Sequence, residues 1–163
     1  MTNTDFGGLL RLLADAEVRF VLIGGLAGAA HGSARATLDV DVVYERAEEN
    51  LERLAAALDG HSPSLRGAPP GLPFRWDPIT LRRGLNFTLR TTLGDLDVLG
   101  EVAGGGTYDA LVGQSEWITI FGVRCRCVSL PRLIELKRAA GRPKDLEAIA
   151  ELEAIQEELE ELG

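Results

Sequence analysis

Apolar residues recur along this chain at helical spacing, then as short unbroken runs, then in alternation, and the order of those patterns predicts its elements. Phe6, Leu9, Leu10, Leu12 and Leu13 give one apolar side to a helix over 5–16, with Thr4 as its expected N-cap. Residues 19–24 (Arg-Phe-Val-Leu-Ile-Gly) read as a short buried strand that Gly24-Gly25 ends. Residues 26–31 then suggest a small-residue helix closed by Gly32. A second strand is expected over 38–45 and an amphipathic helix over 47–58, where Leu51, Leu54, Ala55 and Leu58 share a face. Five prolines between 61 and 80 (Pro63, Pro69, Pro70, Pro73, Pro78) predict a long surface loop.

Two strands over 83–91 and 95–101 follow, joined by the hairpin signal Thr92-Leu93-Gly94. Gly104-Gly105-Gly106 is expected to link into a short helix near 108–112. Residues 116–121 and 123–128 then form a strand pair turned at Gly122. Helices are predicted over 130–140 and 143–162, the last with Leu146, Ile149, Leu152, Ile155, Leu159 and Leu162 on one stripe. Helix and strand alternate, then come hairpins, then helices. That order predicts an α+β fold, a mixed sheet flanked by helices and followed by C-terminal helices. We expect a core over 1–128, with 129–163 a helical segment packed on it or completing it.

Composition narrows the class. With 163 residues, 45% hydrophobic and 26% charged, the chain is sized for one globular domain with a proper core. No apolar run approaches the ~18 residues a membrane helix needs, and no membrane partner is expected. The start, Met1-Thr-Asn-Thr-Asp5, carries no export signature, so a cytoplasmic location is expected. Cys125 and Cys127, one residue apart, form neither a disulfide framework nor a zinc site and read as reduced core thiols beside Val123.

The net charge of −8 is uneven. Eight carboxylates and no base follow Lys144, which opposes broad nonspecific nucleic-acid affinity. The segment 61–93 holds five arginines (Arg66, Arg75, Arg82, Arg83, Arg90) against the single acid Asp77, a local basic surface or a merely solvated loop.

The chemistry concentrates in Asp39-Val40-Asp41-Val42-Val43. Side chains two apart in a strand share a face, about 7 Å apart along the chain. Like charges on one face of a partly buried strand repel and lose hydration, and a cation resolves the conflict. The alternative is a strand edge where both aspartates face water. Carboxylates so placed can hold a pair of Mg²⁺ ions about 3.5–4 Å apart, the separation used for in-line phosphoryl transfer. Asp95-Leu96-Asp97 repeats the pattern. Asp97, deeper in its strand, is the expected third ligand, while Asp95 adjoins the hairpin turn. Gly24-Gly25, between strand and helix upstream, would let backbone N–H groups approach a triphosphate.

The run Ile23-Gly-Gly-Leu-Ala-Gly-Ala-Ala-His-Gly-Ser-Ala-Arg-Ala-Thr-Leu-Asp-Val-Asp41 resembles the DNA-polymerase-β-like nucleotidyltransferases. More narrowly it is similar to the AbiEii and MenT type of toxin nucleotidyltransferase, which pass from Gly-Gly through His-Gly, Arg and Thr to Asp-x-Asp. Leu136-Lys-Arg-Ala-Ala-Gly-Arg-Pro-Lys-Asp145 resembles their later lysine and Arg-x-Lys-Asp motifs, so the likeness spans about 20–152. It implies a polymerase-β-like fold, with Asp39, Asp41 and Asp97 catalytic and holding Mg²⁺ or Mn²⁺. It also implies Gly24, Gly25, Arg35, Lys137, Arg142, Lys144 and Asp145 at the nucleotide, Lys137 being catalytic as well. Many superfamily members carry Gly-Ser where this chain has Gly24-Gly25, which leaves phosphate binding to backbone and metal. His31, among small residues, reads as packing or capping.

The implied reaction transfers a nucleoside monophosphate from a nucleoside triphosphate to an acceptor hydroxyl, on a tRNA 3′ end or a protein, as a component of a toxin–antitoxin system. The rival is a catalytically weak minimal nucleotidyltransferase fold acting as an antitoxin or protein-binding module, with the amphipathic tail docking a cognate partner. A dinucleotide-binding reading fails because Gly24, Gly25, Gly28 and Gly32 never give Gly-x-Gly-x-x-Gly.

Overall fold

The computed structural model describes residues 3–69 and 71–163; Met1, Thr2 and Pro70 lie outside them. In chain order the elements are α1 (Phe6–Asp15), β1 (Phe20–Ile23), α2 (Gly24–Ala30), β2 (Asp39–Tyr44), α3 (Glu48–Leu58), β3 (Ser64–Leu65), α4 (Pro78–Arg83), β4 (Asn86–Thr91) and β5 (Gly94–Leu99). There follow β6 (Glu101–Val102), β7 (Gly106–Thr107), α5 (Tyr108–Leu111), β8 (Ser115–Ile120), β9 (Val123–Val128), α6 (Leu130–Ala140) and α7 (Pro143–Leu162).

Seven strands form one mixed sheet in the order β3-β4-β5-β2-β1-β9-β8. β5 runs parallel to β2, and β1 parallel to β9; the other neighbours are antiparallel. β6 and β7 make a separate two-stranded ribbon. Alternation decides what each face carries. In β2, Val40 and Val42 are fully buried on one face, and Asp39 and Asp41 lie half-covered on the other. β9 buries Val123, Cys125 and Cys127 and turns Arg124 outward, which leaves both cysteines as free thiols. Burial pushes them up, to about 11 and about 12, so they stay protonated and inert near neutral pH. Leu9, Leu10 and Leu13 of α1, Leu51, Leu54 and Leu58 of α3, and Leu133, Ile134, Ile149 and Leu152 of α6 and α7 join one hydrophobic cluster.

Several boundaries differ from the sequence pattern, each for a local reason. Asp5, not Thr4, caps α1, its carboxylate accepting from the Gly8 N–H at 2.8 Å. Thr4 instead donates to the Leu38 carbonyl at 2.6 Å and accepts from the Asp95 N–H, pinning the starts of β2 and β5 together. Gly94, with φ +115°, lets Thr4 approach that closely. α2 begins at Gly24 itself.

The Pro-rich stretch is not a bare loop. Ser64–Leu65 adds the edge strand β3, and Asp77 caps α4 with Pro78 in its first turn. That helix takes residues expected in a strand, so β4 starts at Asn86. Gly106 is not linker but part of β7. On α7 only Ala148, Ile149 and Leu152 of the apolar positions are buried; Leu146 points off the packed face, and Leu159 and Leu162 are exposed.

Buried Asn50 of α3 ties together the chain entering β1 and the chain leaving β2. It accepts from the Arg19 N–H at 2.7 Å and donates to the Arg19 and Glu45 carbonyls at 3.0 and 2.8 Å. Asn50→Ala leaves the Arg19 N–H and the Glu45 carbonyl without this partner, the Arg19 carbonyl keeping the Glu45 N–H at 3.1 Å, and we expect a loss of about 1–3 kcal/mol. It should appear in urea denaturation as a lower midpoint at unchanged slope. A loss below about 0.5 kcal/mol would show that water replaces the amide.

Candidate active site

The acid-bearing face of β2 meets β5 in parallel register, with Asp39 beside Asp95 and Asp41 beside Asp97. All four carboxylates therefore emerge on one side of the sheet. Carboxylate oxygens of Asp39, Asp41 and Asp97 all lie within 4.8 Å of one another. Crowding and burial raise the proton affinity of Asp39 and Asp41. Burial above all, then the charges of Asp39 and Asp97, lift Asp41 to about 8. Burial, then Asp97, raise Asp39 too, against the opposing pull of Arg66 and Lys144. Asp41 Oδ1 is buried with no hydrogen-bond partner. A buried, unpartnered oxygen in a group of three hard carboxylate donors fits a divalent cation such as Mg²⁺ or Mn²⁺.

Backbone shape keeps the cluster reachable. Gly24 adopts φ +72°, and a Cβ there would collide with the Asp41 carboxylate. A Cβ on Gly25 would come within 2.7 Å of the Thr37 hydroxyl. Glycine is thus required at both positions for α2 to start against the acids. No side chain caps the first turn of α2.

Cations from distant segments ring the acids. Lys137 of α6 sits 3.7 Å from Asp145 of α7. Arg142 donates to Asp145 through Nε at 2.6 Å, Nη2 at 3.2 Å and its backbone N–H at 3.2 Å. Asp145 is only 1% exposed. Burial alone would raise it, but the hydrogen bonds and charge of Arg142, with Lys137, hold it below the usual carboxylate range. Its oxygens are engaged by the protein's own cations, and Asp145 lines the acid cavity together with Lys137 and Arg142. Lys144 lines the same cavity, of about 220 Å³, with Gly24, Gly25, Arg35 and the three acids. Arg35 is exposed there, 3.4 Å from Glu147.

Three contributors lie outside the site residues that the sequence singled out. Arg66, reaching in from β3, donates to Asp97 Oδ1 at 2.6 Å and the Leu89 carbonyl at 2.9 Å. It also lies 3.7 Å from Asp39 and 3.9 Å from Asp95. Only the excess of arginine over acid in 61–93 hinted at it, and that excess named no position. Of the other arginines of that segment, Arg82 binds Glu48 and Arg75 approaches Asp77, while Arg90 on β4 lies across from Asp95 on the acid-bearing face. Glu151, within the acidic tail, accepts from the Ser33 hydroxyl and the Ala34 N–H and anchors the segment leading to Asp39. Thr37 donates to the Asp39 carbonyl at 3.2 Å. His31 contacts the Val128 carbonyl at 2.8 Å, a packing role away from the acids.

A raised carboxylate penalises the folded state once it ionises. Asp41 therefore contributes no destabilisation below about pH 4, and a growing one as pH rises toward about 8. Without divalent ions, Asp41→Asn should raise the melting temperature at pH 8 by about 2–8 °C and change little at pH 4. Added Mg²⁺ or Mn²⁺ should stabilise the parent chain and not the variant. An equal response of both to the ion would remove Asp41 from the ion site.

No family model and no curated protein matches the chain. Solved structures do. One is a lincosamide antibiotic adenylyltransferase, LnuA, bound to lincomycin: 14% identical, covering 94% of this chain and 99% of its own, TM-score 0.62. Another, from Thermotoga maritima and assigned to the nucleotidyltransferases, is 15% identical, covering 94% of this chain and 89% of its own, TM-score 0.53. At such identities the likeness speaks to architecture. The chain has the nucleotidyltransferase fold, a mixed sheet flanked by helices.

Proposed function

We propose that the chain is a metal-dependent nucleotidyltransferase, moving a nucleoside monophosphate from a nucleoside triphosphate to an acceptor hydroxyl. The observation that carries this is the convergence of Asp39, Asp41 and Asp97, one oxygen of which is buried and unpartnered, beside the Gly24-Gly25 turn. Asp39, Asp41 and Asp97 would hold the divalent ions, which when bound neutralise phosphate oxygens and lower the pKa of the attacking hydroxyl. The uncapped N–H groups at Gly24 and Gly25 face the β- and γ-phosphates, and Lys144 and Arg35 add charge along the same cavity. Lys137 and Arg142, held by Asp145, offer fixed positive charge to the phosphates in flight. In this reading segment 129–163 completes the active site of the 1–128 core.

The sequence resemblance adds a tRNA 3′ end or a protein as acceptor and a place in a toxin–antitoxin pair. One observation favours the rival binding-module reading: Leu159 and Leu162 stand exposed among carboxylates at the end of α7. Among the described residues no helix is long and apolar enough to cross a membrane.

Purified protein incubated with α-labelled nucleoside triphosphates, Mg²⁺ and candidate acceptors should transfer label with release of pyrophosphate. Asp39→Asn, Asp41→Asn and Asp97→Asn should each lower the rate at least about 100-fold, the scale of removing one preorganised electrostatic group. Lys137→Ala should do so too and also lower the melting temperature, because Lys137 offsets the charge of buried Asp145 and Asp41. Transfer that survives the Asp41→Asn change would overturn the assignment. No transfer, with tight binding of a partner through α7, would favour the module.

A further inference from the structure

We infer that the acceptor is a small, partly apolar alcohol without negative charge, bound in a second cavity that meets the triphosphate cavity at the carboxylates. The inference rests on the transfer reading above. The second cavity, of about 400 Å³, shares a wall with the first: Gly24, Asp41, Asp97, Lys137, Arg142 and Asp145 line both. Beyond that wall they diverge. The first continues into Ser33, Arg35, Thr37 and Lys144. The second continues into Leu99, Val102, Leu133 and Leu136, with Asn86, Thr88 and Glu101 as its polar points. A polar, cation-rimmed space on one side of the acids suits phosphates; a mainly aliphatic one on the other suits an organic body.

Size and charge choose among acceptors. About 400 Å³ lies inside the range of small-molecule sites, roughly 300–1,000 Å³. Its two cations, Lys137 and Arg142, already bind Asp145. Glu101 has no ion-pair partner among the described residues. Such walls repel an anionic acceptor and welcome a neutral or amine-bearing one. A tRNA end would need a track of free cations to release counterions from its backbone. The cations nearest the acids do not make one: Arg66 is bound to Asp97, Lys137 and Arg142 to Asp145, and Arg35 to Glu147, which leaves Lys144 and Arg90 unpaired among the described residues, two charges rather than a track. β6 and α6 wall the cavity, which favours a ligand that fits inside it over a flat surface.

The step balances simply. The acceptor oxygen forms a bond to the α-phosphorus. The bond from that phosphorus to the bridging oxygen breaks, pyrophosphate leaves with the electron pair, and the hydroxyl proton passes to the Asp97 carboxylate.

The test supplies α-labelled ATP, CTP, GTP and UTP with Mg²⁺ to three pools. These are neutral and amine-bearing alcohols and sugars, the phosphate esters of the same compounds, and total tRNA with mixed protein. Label should enter the first pool and spare the phosphate esters. Ala103→Trp, at an exposed position on the cavity wall, should raise the acceptor KM about tenfold or more while leaving triphosphate binding unchanged. Glu101→Lys, also exposed, should raise the KM of amine-bearing acceptors selectively. Label entering tRNA or protein, with both variants silent, overturns the small-molecule acceptor and leaves nucleotidyl transfer standing. No transfer to any pool overturns both.

Discussion

Three carboxylates on one face of two neighbouring strands, half withdrawn from water, set the terms for everything around them. Asp41 is pushed to about 8 by burial and by its two companions, and Asp39 is raised by burial and by Asp97. A fold can tolerate such a group only by supplying positive charge to it. This chain does so from separate segments: Arg66 from the edge strand, Lys137 from α6, and Arg142 and Lys144 at the start of α7. None of these cations lies beside the acids in sequence, so the sheet and both C-terminal helices must assemble before the charges balance. One buried oxygen still lacks a partner after that, which is why the arrangement reads as a receptor for cations rather than a closed ion-pair network.

The acidic C-terminal helix takes on a different meaning in this light. Read as composition, its carboxylates only repel anions. In the fold, two of them are structural instruments. Asp145 fixes Lys137 and Arg142 at the cavity wall, and Glu151 clamps the Ser33–Ala34 backbone that feeds into β2. Glu147 and Glu153 pair with Arg35 and Arg138, and Glu157, Glu158, Glu160 and Glu161 face solvent beyond the packed turns, where Leu159 and Leu162 have no cover. One helix thus combines a buried half that organises chemistry with an outer half that does not touch the core.

Shared architecture with the solved nucleotidyltransferase-fold structures extends over nearly the whole chain at 14–15% identity. At that distance the backbone plan is common property, and activity must be argued from the site. The relevant features are local and few: a strand that alternates acid and valine, a parallel neighbour that brings a third acid into register, and a glycine pair whose side chains would collide with Asp41 and Thr37.

The chain's own periodicity determined much of this. Asp-Val-Asp in a strand puts both acids on one face by geometry alone, since side chains alternate with period two. The same rule placed Cys125 and Cys127 together in the core. The glycine pair at the strand–helix junction was equally local. Tertiary structure decided what lies between segments far apart in sequence. The β2–β5 register turned Asp97 toward Asp41, and chain crossing brought Arg66 to Asp97 over 31 positions and Glu151 to Ser33 over 118. Thr4 was drawn off its expected cap by the nearby strand starts, and α7 outran the core that would have buried Leu159 and Leu162. Local patterns record which face a residue occupies; what it meets across that face depends on strand order and register, which no single window of sequence contains.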